Sequence, residues 1–402
     1  MSKDKLIPEL RFPEFLEKEG WEIKEVGEIF QVTRGYVLSM TLVKELPTED
    51  YPYPVFSSQT KNNGLAGYYN EYLYEDAITW TTDGANAGDV NYRDGKFYCT
   101  NVCGVLLNEE GIANPCIAEL INSVSKKHVS YVGNPKLMNG VMSKIQIPVP
   151  SIKEQQKIAS CLSSLDEVIS AHSQKLDLLK DHKKGLMQNL FPQEGEKVPK
   201  LRFKEFEKDG EWVKKSLEEV ATILKGKGIS KADIVEDGEL PCIRYGELYT
   251  HYNETISTVK SYTNSSPKDL ILSKANDVII PASGETQIDI AKASCVLESG
   301  VALGGDLNII RSKINGVFLS YYLNNAKKHD IAQMAQGIAV VHLYPNQLKT
   351  LKLQIPNPKE QQKIALCLSS LDALITTQTE KIEQLNLHKK GLMQGLFPKI
   401  ED

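Results

Sequence analysis

The sequence predicts an α+β protein built twice: two globular modules in tandem, each followed by one long helix, the two helices pairing as an antiparallel coiled coil about an internal pseudo-two-fold. Three observations predict it. First, residues 153–169 read KEQQKIASCLSSLDEVI and residues 359–375 read KEQQKIALCLSSLDALI; the match resumes as HKKGLMQNLFP from His182 and HKKGLMQGLFP from His388, at the same offset of 206. Two copies of one unit in a chain imply a pseudo-dimer. Second, both repeated segments carry an apolar seam stepping by four and three residues, which is the pattern that zips helices together. Third, the stretches between them hold short strand-like runs bounded by Gly, Pro and Asn.

The elements follow in order. Residues 1–150 form the first module, 151–192 the first helix, 193–357 a linker and the second module, and 358–402 the second helix and a tail. Leu10-Arg11-Phe12 recurs as Leu201-Arg202-Phe203, and Trp21 recurs as Trp212. Strands are expected around Asp76 to Trp80, Lys96 to Leu107, Asp277 to Pro281 and Asn308 to Arg311, with one helix per module near 115–127 and 317–335. Asp76 aligns with Asp277, and the second copy carries about 14 extra residues before that point. The order is also cyclic: Phe191-Pro192 leads through the linker to Leu201-Arg202-Phe203, and Phe397-Pro398 with Leu10-Arg11-Phe12 reads as the same junction cut open. The two termini should therefore lie close together.

Each long helix has a legible start and stop. Ser151 and Glu154 have the spacing of a capping box, Asn357 with Pro358 and Glu360 supplies an N-cap, N1 proline and N3 glutamate, and Pro192 and Pro398 end the helices. The first seam runs Ile158, Leu162, Leu165, Ile169, His172, Leu176, Leu179, Lys183, Leu186, Leu190. The second runs Ile364, Leu368, Leu371, Ile375, Gln378, Ile382, Leu385, Lys389, Leu392, Leu396. Antiparallel pairing fits a two-fold, with the polar positions His172, Gln378, Lys183 and Lys389 setting register. About 38 residues make a rod of roughly 55 Å. Gly185 and Gly391 interrupt otherwise good helix; close packing on the module explains them, or a notch for a partner.

Bulk composition is that of an ordinary globular protein, with a net charge of −5, so any affinity for phosphate must come from local patches. The seven cysteines show no metal-ligand spacing and read as packed, reduced thiols. No run approaches the roughly 18 apolar residues of a spanning helix, and the opening MSKDKLIPELRF has no apolar export segment; a cytoplasmic location is expected.

Two variable modules alternating with two repeated helices that begin EQQKIAxxLSSLD, with YPVFSSQTKNNGLAGYY at 53–69, WTTDGANAG at 80–88 and a stretch from a QG to an IP at 336–356, resemble the specificity (S) subunit of type I restriction–modification enzymes. The resemblance covers essentially the whole chain. It implies that each module is a target recognition domain reading one half of a bipartite site in double-stranded DNA. It further implies that the helices space the halves and dock two methyltransferase (modification) subunits, with restriction subunits joining the assembly. Catalysis would belong to those partners, and with it S-adenosylmethionine, ATP and Mg. The sequence agrees that this chain carries no chemistry of its own: it has no P-loop, no N-P-P-aromatic loop and no metal-ligand set. A second reading, a duplicated scaffold whose modules bind proteins, stays open at this point.

Base readout needs donors and acceptors on loops or strand ends. In the first module the candidates are Ser57, Ser58, Gln59, Thr60, Lys61, Asn62 and Asn63, then Thr82, Asp83 and Asn86 of the following loop. Arg34 and Arg93 are candidates for phosphate or guanine. In the second module they are Arg244 and Tyr245, the loop residues Ser283, Glu285, Thr286 and Gln287, the lysines Lys225, Lys227 and Lys231 for the backbone, and Gln336 and His342 ahead of the helix.

Overall fold

The computed structural model describes residues 6–58, 62–337 and 340–399. It divides into two compact units, one made of residues up to Ser173 together with those from Glu380 onward, the other of Gln174–Thr379. The long helices are Ile152–Asn189 and Pro358–Leu396, of 38 and 39 residues, and each contributes residues to both units.

In the first unit the strands Gln31–Arg34, Cys103–Leu107, Tyr74–Thr81, Val90–Cys99, Tyr53–Phe56 and Leu65–Tyr69 lie side by side in that order. All neighbours are antiparallel except Tyr53–Phe56 with Val90–Cys99. The central strand's Ala77, Ile78, Thr79 and Trp80 are each buried, as expected for a strand covered on both faces. Helix Pro115–Ser125 lays Cys116, Ile117, Leu120 and Ile121 over Ile78, Trp80 and Leu106.

The second unit keeps this plan with its sheet divided. Ala221–Lys225, Leu307–Ser312, Asp277–Pro281, Ser294–Val296 and Thr255–Ile256 form one sheet; Ile234–Val235, Ser261–Thr263, Leu240–Ile243 and Ala302–Leu303 form another. The parallel pair recurs between Leu240–Ile243 and Ala302–Leu303. Where the first unit has one long strand, Val90–Cys99, the second has two short ones parted by a turn at Gly300, whose φ is +91°.

Three local expectations change. The run from Lys96 to Leu107 is two strands joined by a turn at Thr100, and the helix expected near 317–335 is two, Gly316–Asn324 and Lys328–Met334. Asp76, matched to Asp277 by sequence, sits at a bulge with φ +47°. Strand pairing instead sets Thr81 and Pro281 at equivalent places, opposite Cys103 and Leu307. The additional residues of the second copy fall in the connection after Ile243, which holds helix Tyr245–Thr250.

The repeated motifs are tied to one another. Arg11 donates to both carboxylate oxygens of Glu154 at 2.7 and 2.9 Å, and Arg202 does the same to Glu360, both at 2.8 Å. Each Leu-Arg-Phe junction is thereby clasped to the start of the long helix. The neighbouring glutamines lock the module helices: Asn114, the N-cap of Pro115–Ser125, donates to Gln155, and the backbone N–H of Asn315 donates to Gln361. Ser151 caps Glu154 N–H at 3.4 Å. The reciprocal half of that capping box is not made, because the Glu154 carboxylate is committed to Arg11. Leu10 N–H bonds the Gly395 carbonyl at 2.8 Å, matching Leu201 N–H on Asn189 at 2.9 Å, so the opened junction is rejoined in space.

Every seam position is buried or half-buried. In the first unit Ile158 and Leu162 share a core with Leu392 and Leu396, and Lys389 pairs with Asp166 at 2.8 Å. In the second, Leu186 and Leu190 meet Ile364 and Leu368, and Lys183 pairs with Asp372 at 2.7 Å. As one helix number rises the partner's falls, so the pairing is antiparallel. Register is held by lysine on a facing aspartate, with a second carboxylate from the module: Glu119 at 3.2 Å from Lys389 and Glu254 at 3.2 Å from Lys183. Burial opposes the charge on each lysine, but these acids outweigh it and raise both pKa values. A Cβ added at Gly185 or Gly391 would meet nothing within 4 Å, so close packing within the chain does not account for these glycines.

Candidate nucleic-acid interface

In the first unit hydrogen bonds gather the candidate loops. Ser57 N–H bonds the Gly64 carbonyl and its hydroxyl accepts from Thr100 at 3.0 Å. Tyr36 N–H bonds Cys99, and Thr82 N–H bonds Val102. Leu137 N–H then bonds Thr82, and Gly84 N–H bonds Pro135. Asn62 and Asn63 are exposed and both left-handed, φ +50°, a conformation asparagine tolerates. Gln59, Thr60 and Lys61 lie outside the described residues. Arg34 ends its strand exposed, its carbonyl held by the Tyr74 hydroxyl at 2.7 Å. A polar cavity of about 230 Å³ lies among these loops, lined by Ser57, Asn63, Thr81, Asn86, Asp89 and Arg93 with their neighbours.

The second unit repeats this frame with other side chains. Lys225 stands at the place of Arg34, followed by Gly226 as Arg34 is followed by Gly35. A Cβ at either glycine would lie 2.0–2.2 Å from a carbonyl oxygen, so only glycine lets the chain pass. Lys225, Lys227 and Lys231 are all exposed. Arg244 occupies the place of Ser57, half-buried, with its N–H on Glu247 at 2.7 Å, and Tyr245 beside it is 39 % exposed. Ser283 sits 3.3 Å from the His342 ring and holds Tyr249 through its carbonyl. Glu285 is exposed; Thr286 caps a short turn of helix through Asp289, and Gln287 donates to the Ala335 carbonyl. Gln336 and His342 exchange backbone bonds at 2.9 and 2.7 Å.

Two candidates need correction. Thr82 is fully buried, its hydroxyl within hydrogen-bond distance of the Asp83 carboxylate at 2.7 Å and the Val102 carbonyl at 3.0 Å. Arg93 is 8 % exposed and spent on Thr79 at 2.9 Å and the Asn63 carbonyl at 2.7 Å, its guanidinium 3.7 Å from the Phe56 ring centre. Burial pushes its pKa down to about 10, which leaves it a cation at neutral pH. Both side chains are committed to bonds within the unit that shape the loops. Asp83 keeps part of its surface, 3.8 Å from Lys136.

One element escaped the sequence reading. Residues 130–136 form a hairpin closed by reciprocal bonds between Ser130 and Lys136 and seated on the loop at Thr82–Gly84. Its counterpart in the second unit is the bridged pair Gln336 and His342, both named as candidates from the sequence. The signal available in the first copy was the exposed-turn composition of Ser130-Tyr131-Val132-Gly133-Asn134-Pro135, equally placed before the helix.

The family model for the type I restriction modification DNA specificity domain matches twice, over residues 18–181 and 209–387. The chain belongs to the specificity-subunit family of type I restriction–modification systems. It is 26 % identical to the MjaVIII specificity subunit of Methanocaldococcus jannaschii, covering 94 % of this chain and 92 % of that one. A putative type I specificity subunit of Mycoplasma pneumoniae is 28 % identical over 94 % and 98 % of the two chains. In fold it is similar to the type I S subunit crystal structure from M. genitalium, with a TM-score of 0.66, 14 % identity, and 98 % and 100 % coverage. A chain from a type I restriction–modification assembly gives 0.55 at 15 % identity, covering 94 % and 98 %. Among the described residues no group of His, Cys, Asp and Glu could hold a metal ion, and no helix is long and apolar enough to cross a membrane.

Proposed function

We propose that this chain is the DNA-reading subunit of a type I restriction–modification complex, each unit recognising one half of a bipartite site through its loop cluster. The observation that carries the reading is the repeated frame with changed contents. Both units hold the same hydrogen-bonded loop scaffold, yet it presents Arg34, Ser57 and Asp83 in one and Lys225, Arg244 and Ser283 in the other. One scaffold with different polar contents is what two different half-sites require. It also disfavours the scaffold-protein reading, since two copies of one partner would select equal surfaces.

The pair of long helices is the ruler, and docks two methyltransferase subunits. In support, Gly185 and Gly391 leave the same open notch in both repeats, and a hollow of about 1010 Å³ in the first unit adjoins the second helix at Lys389, Lys390 and Met393. Methylation and cleavage belong to modification and restriction subunits, which bring S-adenosylmethionine, ATP and Mg. The test is base-modification sequencing of source-strain DNA with the gene intact and deleted. Loss of a split motif methylated in both halves is the expected result; methylation unchanged on deletion, with chain and partner expressed, would overturn the reading.

A further inference from the structure

The two units close one corner of the repeat differently. In the second, the corner between the module helix Gly316–Asn324 and the end of the first long helix is filled by the chain itself. Tyr322 stacks on Phe191 at 5.4 Å, and Phe318 packs on the same ring at 5.7 Å. Asn325 donates to the Met187 carbonyl. The linker then crosses the corner. Gln354, on the strand Lys352–Ile355, donates to the Glu196 carbonyl at 2.6 Å, and Gln193 donates to the carbonyls of Gln188 and Phe191.

In the first unit the same places hold other residues. The N-caps Asn114 and Asn315 align the module helices at an offset of 201, and the long helices with the strands before them align at 206. Ile121 thus takes the place of Tyr322, Val124 that of Asn325, Met393 that of Met187 and Pro148 that of Gln354. The ring is gone, and with it both amides that bridge or pin the crossing chain. What remains is the hollow of about 1010 Å³, with Leu120, Val124, Met393 and Phe397 in its apolar lining. Lys127, Lys144, Lys390 and Lys399 also line it, and all four are exposed. None of them forms an ion pair among the described residues. The one acid in the lining, Glu119, is tied to Lys389 at 3.2 Å.

We propose that this hollow takes an acidic amphipathic segment of one modification subunit, with its apolar side chains on the floor and its carboxylates among the four lysines. The proposal rests on the specificity-subunit function proposed above and adds an asymmetry to it. The dock is built in one unit only, so the two modification subunits are held unequally. Charge sets the kind of partner. On a chain of net charge −5, four unpaired lysines around one apolar floor make a local positive field that favours an acidic partner and speeds its encounter. The floor favours peptide over a DNA backbone, which carries nothing to cover Met393 and Phe397, whereas an amphipathic segment covers both.

The test uses the complete chain assembled with its modification subunits. The photo-crosslinking residue p-benzoylphenylalanine replaces Asn386 at the hollow or, as the reference, Lys180 at the same position of the other long helix; both are exposed. Position 386 should capture one peptide of the modification subunit, richer in Asp and Glu than in Lys and Arg, and position 180 should not capture it. K144E/K390E changes two exposed side chains without ion pairs, so the fold is preserved, and it should abolish that capture. In native mass spectrometry titrations it should weaken one of the two modification subunits by roughly tenfold, the worth of two reversed rim charges, and leave the other unchanged. No capture at position 386, a neutral or basic captured peptide, or equal capture at position 180 would each overturn the inference. So would capture from within this chain or from a second copy, or capture and affinity unaffected by K144E/K390E. A chain that assembles with no modification subunit at all would instead sink the specificity-subunit function.

Discussion

The buried clasp between Arg11 and Glu154 should be among the most sensitive points of the first unit. Their side chains are 3 % and 2 % exposed. Besides its two bonds to Glu154, Arg11 donates to the carbonyls of Lys18 and Glu19 at 2.9 and 3.0 Å. Arg11→Met keeps the apolar stem but strands a carboxylate that is 1 % exposed. Breaking a buried pair from one side costs about 3–5 kcal/mol. At about 2–4 °C per kcal/mol for a unit of this size, the first unit should melt roughly 6–20 °C earlier. Hydrogen-exchange mass spectrometry with a thermal ramp follows the two units separately, and the second unit, clasped by Arg202 and Glu360, is the reference. The double variant R11M/E154L should recover most of the loss, because removing both charges also removes the desolvation cost. A single variant within about 1 kcal/mol of wild type, or a double variant as unstable as the single, would refute the argument.

Deleting one heptad from each helix, residues 170–176 and 376–382, keeps the seam in phase and shortens each helix by about 10 Å. The methylated motif should then lose about three base pairs of gap, at roughly 3.4 Å per step, with both half-sites unchanged; altered half-sites over a fixed gap would end the ruler proposal. Arg93→Met frees the Asn63 carbonyl and should cost about 1–3 kcal/mol. Competition binding should show weaker discrimination in the first half-site only, and equal loss in both halves would contradict the loop-shaping role. The pKa values of Lys183 and Lys389 are raised on folding. The stability they contribute is therefore complete below the unfolded value of about 10.4 and lost as pH rises through the folded value. The gap in melting temperature between wild type and K183M/K389M should close across that alkaline window, and a gap constant from neutral to strongly alkaline pH would count against the pairing.

Duplication, helix limits and helix pairing were legible in the chain because each rests on local chemistry. The seam needs only a period, prolines stop helices wherever they fall, and a repeat at constant offset survives any folding. The clasp was half visible: Leu-Arg-Phe and Glu-Gln-Gln were both recognised as repeated, yet nothing local says that Arg11 seeks a glutamate 143 residues away. The same limit explains Thr82 and Arg93. Their residue types suit a binding loop, and only the strands folding over Thr79 and Phe56 turn Arg93 inward. The first hairpin was missed because its link to the loop at Thr82 joins residues far apart in sequence. Periodicity, capping and repetition thus belong to the linear chain, since they depend on neighbours a few residues apart. Which polar side chains are spent inside and which face a ligand is decided by long-range contact, because burial is a property of the assembled layers.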